Sequence, residues 1–209
     1  KKLKKSLKNM FDIAIVDYGM GNLFSVKSAC EKVGLKSIIT SKSSEIINSK
    51  AIILPGVGAF SYAMKSIKKL KLDKTILNYY KTKKPIFGIC LGMQLLFSES
   101  FEGKKSKGLG LLEGKVISLD NKKLNIGWRQ LFNIKYSDFK SCLNLKDMYF
   151  IHSYKVLPKN KKIVLAKAKF HNVFYCAAIK KENLYGFQFH PEKSGKNGIK
   201  VYKKIKKIV

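Results

Sequence analysis

Short apolar runs alternate with amphipathic stretches through the first half of the chain. Asp12–Asp17 reads as a buried strand. After the loop Tyr18-Gly19-Met20-Gly21-Asn22, residues Leu23, Val26, Ala29, Cys30 and Val33 recur at helical spacing, and Gly34 is placed to close that helix. Leu35–Ile39, Ala51–Leu54 and Pro85–Ile89 read as further strands, with helices expected at Ala59–Lys69 and Asp73–Thr82. Unbroken apolar strands alternating with helices predict a parallel sheet covered on both faces. From about Leu111 the pattern is richer in strand, and a last helix is expected at Gly198–Val209. With no internal repeat or linker, the expectation is one α/β domain over residues 11–209, preceded by a basic extension at 1–10. It is a three-layer architecture, an open, mostly parallel, doubly wound sheet with extra antiparallel strands in the second half. Such sheets place their sites at the carboxyl ends of the strands.

Composition narrows the function classes. A chain of 209 residues, 45% hydrophobic with 4 Pro, can bury a substantial core and does not read as disordered. No apolar run approaches the roughly 20 residues that a membrane-spanning helix needs. The basic N-terminus is not followed by a signal-type apolar stretch, and Met10 is a second candidate start, which would make the first nine residues an extension. Cys30, Cys90, Cys142 and Cys176 are too scattered for a disulfide framework and form no C-x-x-C pair, so reduced thiols and a cytoplasmic location are expected. The net charge of +30 raises a nucleic-acid reading. Against it, Arg129 is the only arginine, whereas grip on phosphates and bases favours the planar guanidinium. The lysines also run along the whole chain rather than forming one arm or stripe. A solvated lysine coat accounts for them.

The chemistry concentrates in two glycine-bearing loops. Gly88-Ile89-Cys90-Leu91-Gly92 follows a strand directly and opens a helix expected over Leu91–Phe97. This G-x-C-x-G pattern is the thiol form of a nucleophile elbow, a tight turn that presents its central side chain in the open at a helix N-terminus. The Leu91 amide would then face the oxyanion of a tetrahedral intermediate. Cys30, Cys142 and Cys176 fit the ordinary fate of cysteine, burial in the core. The second loop, Leu54-Pro55-Gly56-Val57-Gly58-Ala59-Phe60, lacks the Gly-Lys-Ser/Thr of a nucleotide-phosphate loop and suits a second oxyanion donor better.

A cysteine nucleophile needs a base. His190, in Gln188-Phe189-His190-Pro191-Glu192, ends a strand-like run over Leu184–Phe189, and Glu192 is placed to hold its other ring nitrogen. His171 sits in a polar turn and reads as a surface residue. His152, in Ile151-His152-Ser153-Tyr154, is open between a satisfied core or loop histidine, slightly preferred, and a catalytic one.

These segments carry a resemblance. Gly88–Gln94 together with His190-Pro191-Glu192 resembles the class I (triad) glutamine amidotransferases, whose sheet is of the flavodoxin-like type. Asp17–Leu23, Leu54–Phe60, Ile126-Gly127-Trp128, His152-Ser153-Tyr154 and Gln188–Ser194 are similar to the glutaminase subunits of imidazole glycerol phosphate synthases, from about Phe11 onward. The resemblance implies that Cys90 attacks the amide of glutamine, His190 shuttles the proton, and Glu192 orients His190. It implies glutamine held by Gln94 and by the backbone near Gly56 and Ser153, and oxyanion donors at Val57 and Leu91. Ammonia would pass to a (β/α)₈-barrel cyclase partner in a heterodimer, giving imidazole glycerol phosphate and aminoimidazole carboxamide ribotide for histidine biosynthesis. The Pro55–Gly58 loop would be a switch answering to that partner. No metal or organic cofactor is implied.

The same resemblance puts Asn22, Trp128 and Lys193 on the partner-facing surface. The family usually reads Pro before the Ile/Met-Gly-Trp and Asn after it, whereas this chain has Asn125 and Arg129. Arg129 beside the docking Trp reads either as drift in a tolerant loop or as an altered partner interface. Two alternatives therefore stay open: a paralogue supplying ammonia for amidino or acetamidino surface sugars, and a stand-alone cysteine hydrolase of related fold.

Overall fold

In the computed structural model the described residues are 11–134, 139–144 and 146–209; the expected extension at 1–10 lies outside them. Nine strands form the main sheet. Strands β1 (Ile13–Val16), β2 (Ser37–Thr40), β3 (Ala51–Leu54) and β4 (Ile86–Ile89) alternate with helices, as the hydrophobic pattern predicts. The second half adds β8 (Asn125–Phe132), β9 (Asp147–His152), β11 (Val164–Phe170), β12 (Val173–Lys181) and β13 (Leu184–Phe187). The order is β2-β1-β3-β4-β13-β12-β11-β8-β9, with the first five strands parallel and the rest antiparallel. A smaller sheet contains β5 (Phe97–Ser100), β6 (Ser106–Lys107), β7 (Leu112–Ser118) and β10 (Tyr154–Pro158).

Alternation along the strands sorts the core into two layers. Ile13, Ile15, Ile53, Phe87 and Ile89 point to one face. There they meet Val26, Ala29 and Cys30 of helix α1 (Leu23–Lys32) and Val201, Tyr202 and Ile205 of the C-terminal helix (Gly195–Ile208). Ala14, Val16, Ile52, Leu54 and Ile86 point to the other. They meet α2 (Ser43–Asn48), α3 (Phe60–Lys69), α4 (Leu72–Lys81) and the inner side of the small sheet. The sheet is therefore doubly wound and covered on both faces. No helix among the described residues is long and apolar enough to cross a membrane.

Several boundaries differ from the sequence reading, each for a local reason. Helix α2 was not anticipated: it spans six residues and buries only Ile46, too little to show a helical period. The second strand starts at Ser37 rather than Leu35, because the Leu35 amide is used to cap α1 on the Cys30 carbonyl, at 3.0 Å. The elbow helix, α5 (Leu91–Leu95), ends before Phe97, which is taken into β5. Strand β13 stops at Phe187, and the last helix begins at Gly195, three residues early.

Candidate active site

Strands β1, β3, β4 and β13 all end at the same edge of the sheet, and their loops build the site. Cys90 follows β4 with φ 53° and ψ −110°, a conformation L-residues rarely adopt, as expected at a nucleophile elbow. The flanking glycines answer to space rather than to dihedral preference. A β-carbon at Gly88 would come 2.7 Å from the backbone of Met93, and one at Gly92 would overlap the Leu54 carbonyl. The turn thus packs directly on β3. One expectation is corrected: the Cys90 side chain is not in the open, being 5% exposed. Cys90 instead lines a pocket of about 260 Å³.

The wall of that pocket includes Val57, Leu91, Gln94, Glu102, His152 and Ser153. Among the described residues, neither the Val57 nor the Leu91 amide is spent on a backbone carbonyl. Gln94 donates from Nε2 to the Tyr154 carbonyl and to Gln188 Oε1, both at 3.1 Å, and Gln188 donates in turn to Cys90 Sγ at 3.7 Å. A chain of amides therefore ties the pocket wall to the thiol. Gly56 lies behind this wall, wedged between Tyr18 and Leu91.

His190 is placed by the segment after β13, where its amide bonds the Tyr149 carbonyl of β9 at 2.8 Å. Its Nδ1 meets Glu192 Oε1 at 2.7 Å, with both side chains 1% exposed. Burial pulls the His190 pKa down. The charge and side-chain contact of Cys90, with the bonded Glu192 carboxylate, outweigh burial and raise it. Among the described residues, the buried His190 Nε2 has no hydrogen-bond partner. Both observations fit a long thiol–imidazole approach, of the kind that tightens around a reacting group. The three residues singled out as nucleophile, base and orienter are thus brought together from positions 100 residues apart.

His152 has both ring nitrogens engaged, the arrangement of the satisfied histidine that the sequence slightly favours. Its Nδ1–H donates to the Tyr154 carbonyl at 2.8 Å, so Nε2 accepts from Asn125 Nδ2 at 3.0 Å. Burial outweighs the Tyr154 bond and pulls its pKa down to about 4. Asn125 also donates to the Tyr175 hydroxyl at 2.9 Å, so it bridges two rings beneath the pocket wall. His171 lies exposed in a turn against Asp120, as expected.

Trp128 is half exposed and packs edge-on against Tyr149, with Leu124 and Ile126 exposed beside it. A β-carbon on Gly195 would lie 4.0 Å from its ring. Gly195 in turn borders a groove of about 820 Å³ that continues past Glu192 to the exposed Phe24 on α1. Asn22 stands at the N-cap position of that helix without a side-chain cap bond, and Lys193 is exposed beside Glu192. Arg129 turns the other way. Its guanidinium donates to the Trp128 carbonyl at 2.7 Å and the Ile126 carbonyl at 3.2 Å, and lies over the Phe170 ring. Pairing between β8 and β11 covers only Leu131 and Phe132, so Arg129 satisfies carbonyls beyond the reach of the ladder.

Glu102 was missed by the sequence reading, because nothing in the run Ser98–Glu102 marks one carboxylate over another. It lines the pocket, and its Oε2 accepts the Phe60 amide at 3.0 Å. Burial raises its pKa and the Phe60 bond works against that.

Residues 14–205 match the glutamine amidotransferase class-I family. The chain belongs to that family. Among its curated relatives, the imidazole glycerol phosphate synthase subunit HisH of Aquifex aeolicus is 42% identical over 197 residues, covering 92% of this chain and 95% of the relative. HisH of Caldanaerobacter subterraneus is 43% identical, covering 94% and 98%. Solved structures share the fold. PurLQS from Thermotoga maritima superposes with a TM-score of 0.75 at 22% identity, covering 95% of this chain and 99% of that one. A putative GMP synthase component from Thermoplasma acidophilum gives 0.70 at 18%, covering 96% and 94%. At those identities the likeness concerns the fold alone.

Proposed function

We propose that this class-I amidotransferase is the glutaminase subunit of an imidazole glycerol phosphate synthase, acting in histidine biosynthesis in the cytoplasm. The observation that carries the reading is the buried His190–Glu192 pair set behind a strained cysteine that faces the pocket. The Cys90 thiolate attacks the side-chain amide carbon of glutamine. The oxygen becomes an oxyanion held by the Val57 and Leu91 amides, each such donor contributing roughly 3 kcal/mol in the transition state. His190 passes a proton to the amide nitrogen, the C–N bond breaks, and ammonia leaves a γ-glutamyl thioester. Water, deprotonated by the now neutral His190, then cleaves the thioester to glutamate and restores the thiol. Glu192 holds His190 in the required tautomer throughout. Ammonia passes to a (β/α)₈-barrel cyclase docked over Asn22, Trp128 and Lys193, with Arg129 bracing the strand that carries Trp128.

Glutamine brings an α-ammonium and an α-carboxylate. Gln94 and Ser153 supply polar groups along the pocket, and Glu102 supplies a negative charge for the ammonium. Glu102→Gln is expected to raise KM for glutamine roughly ten- to hundredfold, a charged hydrogen bond being lost, with a smaller change in kcat. Steady-state kinetics with glutamine and with 4-carbamoylbutanoate, which lacks the amine, test this: the variant must lose its penalty on the second substrate.

The reading as a whole is tested by Cys90→Ser assayed with the cyclase partner. Glutamine-dependent synthase activity is expected to vanish while ammonium-dependent activity persists. Retention of wild-type glutamine turnover would show that Cys90 is not the nucleophile.

A further inference from the structure

Tyr18 opens the loop after β1 and is wholly buried. Its hydroxyl donates to the Pro55 carbonyl, and its own carbonyl accepts from Ser66 Oγ on α3, so both its side chain and its backbone are tied. The rest of its loop lies along the same oxyanion segment. A β-carbon at Gly21 would sit 3.4 Å from the Gly56 nitrogen and 3.5 Å from Pro55 Cβ. One at Gly58, whose φ is +95°, would sit 2.7 Å from Met20 Cε. One at Gly56 would strike the Tyr18 hydroxyl on one side and come within 2.9 Å of Leu91 Cβ on the other. Gly56 is therefore held between the Tyr18 ring and the elbow, with the carbonyl just before it fixed.

We propose that Tyr18 is the positioning residue for the Val57 oxyanion donor: by pinning the Pro55 carbonyl it fixes the near end of Gly56 and holds the Gly56–Val57 peptide in register with Cys90. This rests on the reading of the Val57 amide as an oxyanion donor. Tyr18 does not line the pocket, so it acts through the loop rather than on substrate. Its one hydroxyl proton is engaged by Pro55, and burial raises its pKa, so it is no proton source for the reaction. A hydroxyl-to-carbonyl bond suits this task. It pins one peptide while the next, which starts at Gly56, keeps on that side the torsional freedom of a glycine.

Tyr18→Phe keeps the ring and removes the pin. Assayed in the complex with the cyclase partner, it is expected to lower kcat for glutamine about tenfold, a part of what losing an oxyanion donor outright costs, with KM within about twofold of wild type. Alkylation of Cys90 by iodoacetamide, a displacement that forms no tetrahedral oxyanion, is expected to proceed at the wild-type rate, read at the Cys90 peptide by mass. An unchanged kcat overturns the proposal. So does a loss of alkylation in proportion to kcat, which would place the damage at the elbow or in the fold at large. Cys90→Ser run alongside separates the two readings. If it keeps activity, the amidotransferase site itself is misassigned. If it is inactive while Tyr18→Phe matches wild type, only the pin fails.

Discussion

His190→Asn is expected to lower glutamine turnover about 10³-fold, the scale of a lost general acid–base group, and adding it to Cys90→Ser is expected to cost nothing more. The argument is geometric. Glu192 Oε1 engages Nδ1 at 2.7 Å, which leaves Nε2 as the ring atom free for the thiol, and among the described residues that atom has no other partner. Asn can keep a polar contact with Glu192 but cannot carry a proton from the sulfur to the departing nitrogen. Groups that act as one unit fail as one unit, so single and double losses converge on the rate left by binding and the oxyanion donors. The measurement is steady-state glutaminase activity of both single variants and the double variant, with the cyclase partner present. A double variant slower than Cys90→Ser by a further large factor would mean that His190 serves a separate step. Ammonium-dependent synthesis by the partner is expected to be unaffected, because the change leaves the Trp128 face intact.

Much of this site was legible along the chain, because the elbow and the His190-Pro191-Glu192 turn are local. Their residues lie within a few positions of each other, and strand-to-turn geometry follows from Gly, Pro and the apolar run before them. The layering was legible for the same reason: Ile13 and Ile15 against Ala14 and Val16 already alternate between the two cores. What escaped depends on register between distant strands. Asn125 meets His152 because β8 pairs with β9 residue for residue, and Tyr175 joins them from β12; no spacing in the sequence announces that triangle. Glu102 reaches the pocket from just beyond β5 and is held there by the Phe60 amide, 42 residues away along the chain. The role of Arg129 was open between drift and an altered interface. The unpaired margin of β8 supplies a third one, satisfaction of two carbonyls, which no reading of its neighbours in sequence could supply.

Gly92→Ala is the substitution expected to harm the protein most per atom added. Gly92 is the second residue of α5, and its dihedrals are not of the left-handed kind, so an alanine there is free of backbone strain. The obstacle is the carbonyl of Leu54: a β-carbon would overlap it, and Leu54 is the last residue of β3, paired in the ladder with Gly88 of β4. Neither side can yield alone. Moving Leu54 breaks the ladder and shifts the Pro55–Val57 segment that follows, while moving Gly92 swings Cys90 and the Leu91 amide away from it. Overpacking of this kind costs about 3 kcal/mol, which for a chain of this size is a drop of roughly 6–12 °C in Tm. Because the Val57 and Leu91 amides, the proposed oxyanion donors, sit on the two segments forced apart, glutaminase activity is expected to fall about 10²-fold even at temperatures where the variant is fully folded. Gly103→Ala is the control. A β-carbon there meets nothing within 4 Å, but φ is +69°, so the cost is conformational alone, roughly 1–2 kcal/mol, with activity retained. Thermal melts and kinetics on the two variants separate close approach from loss of glycine as such. Equal Tm losses with activity intact in both would mean that the elbow does not depend on its contact with β3.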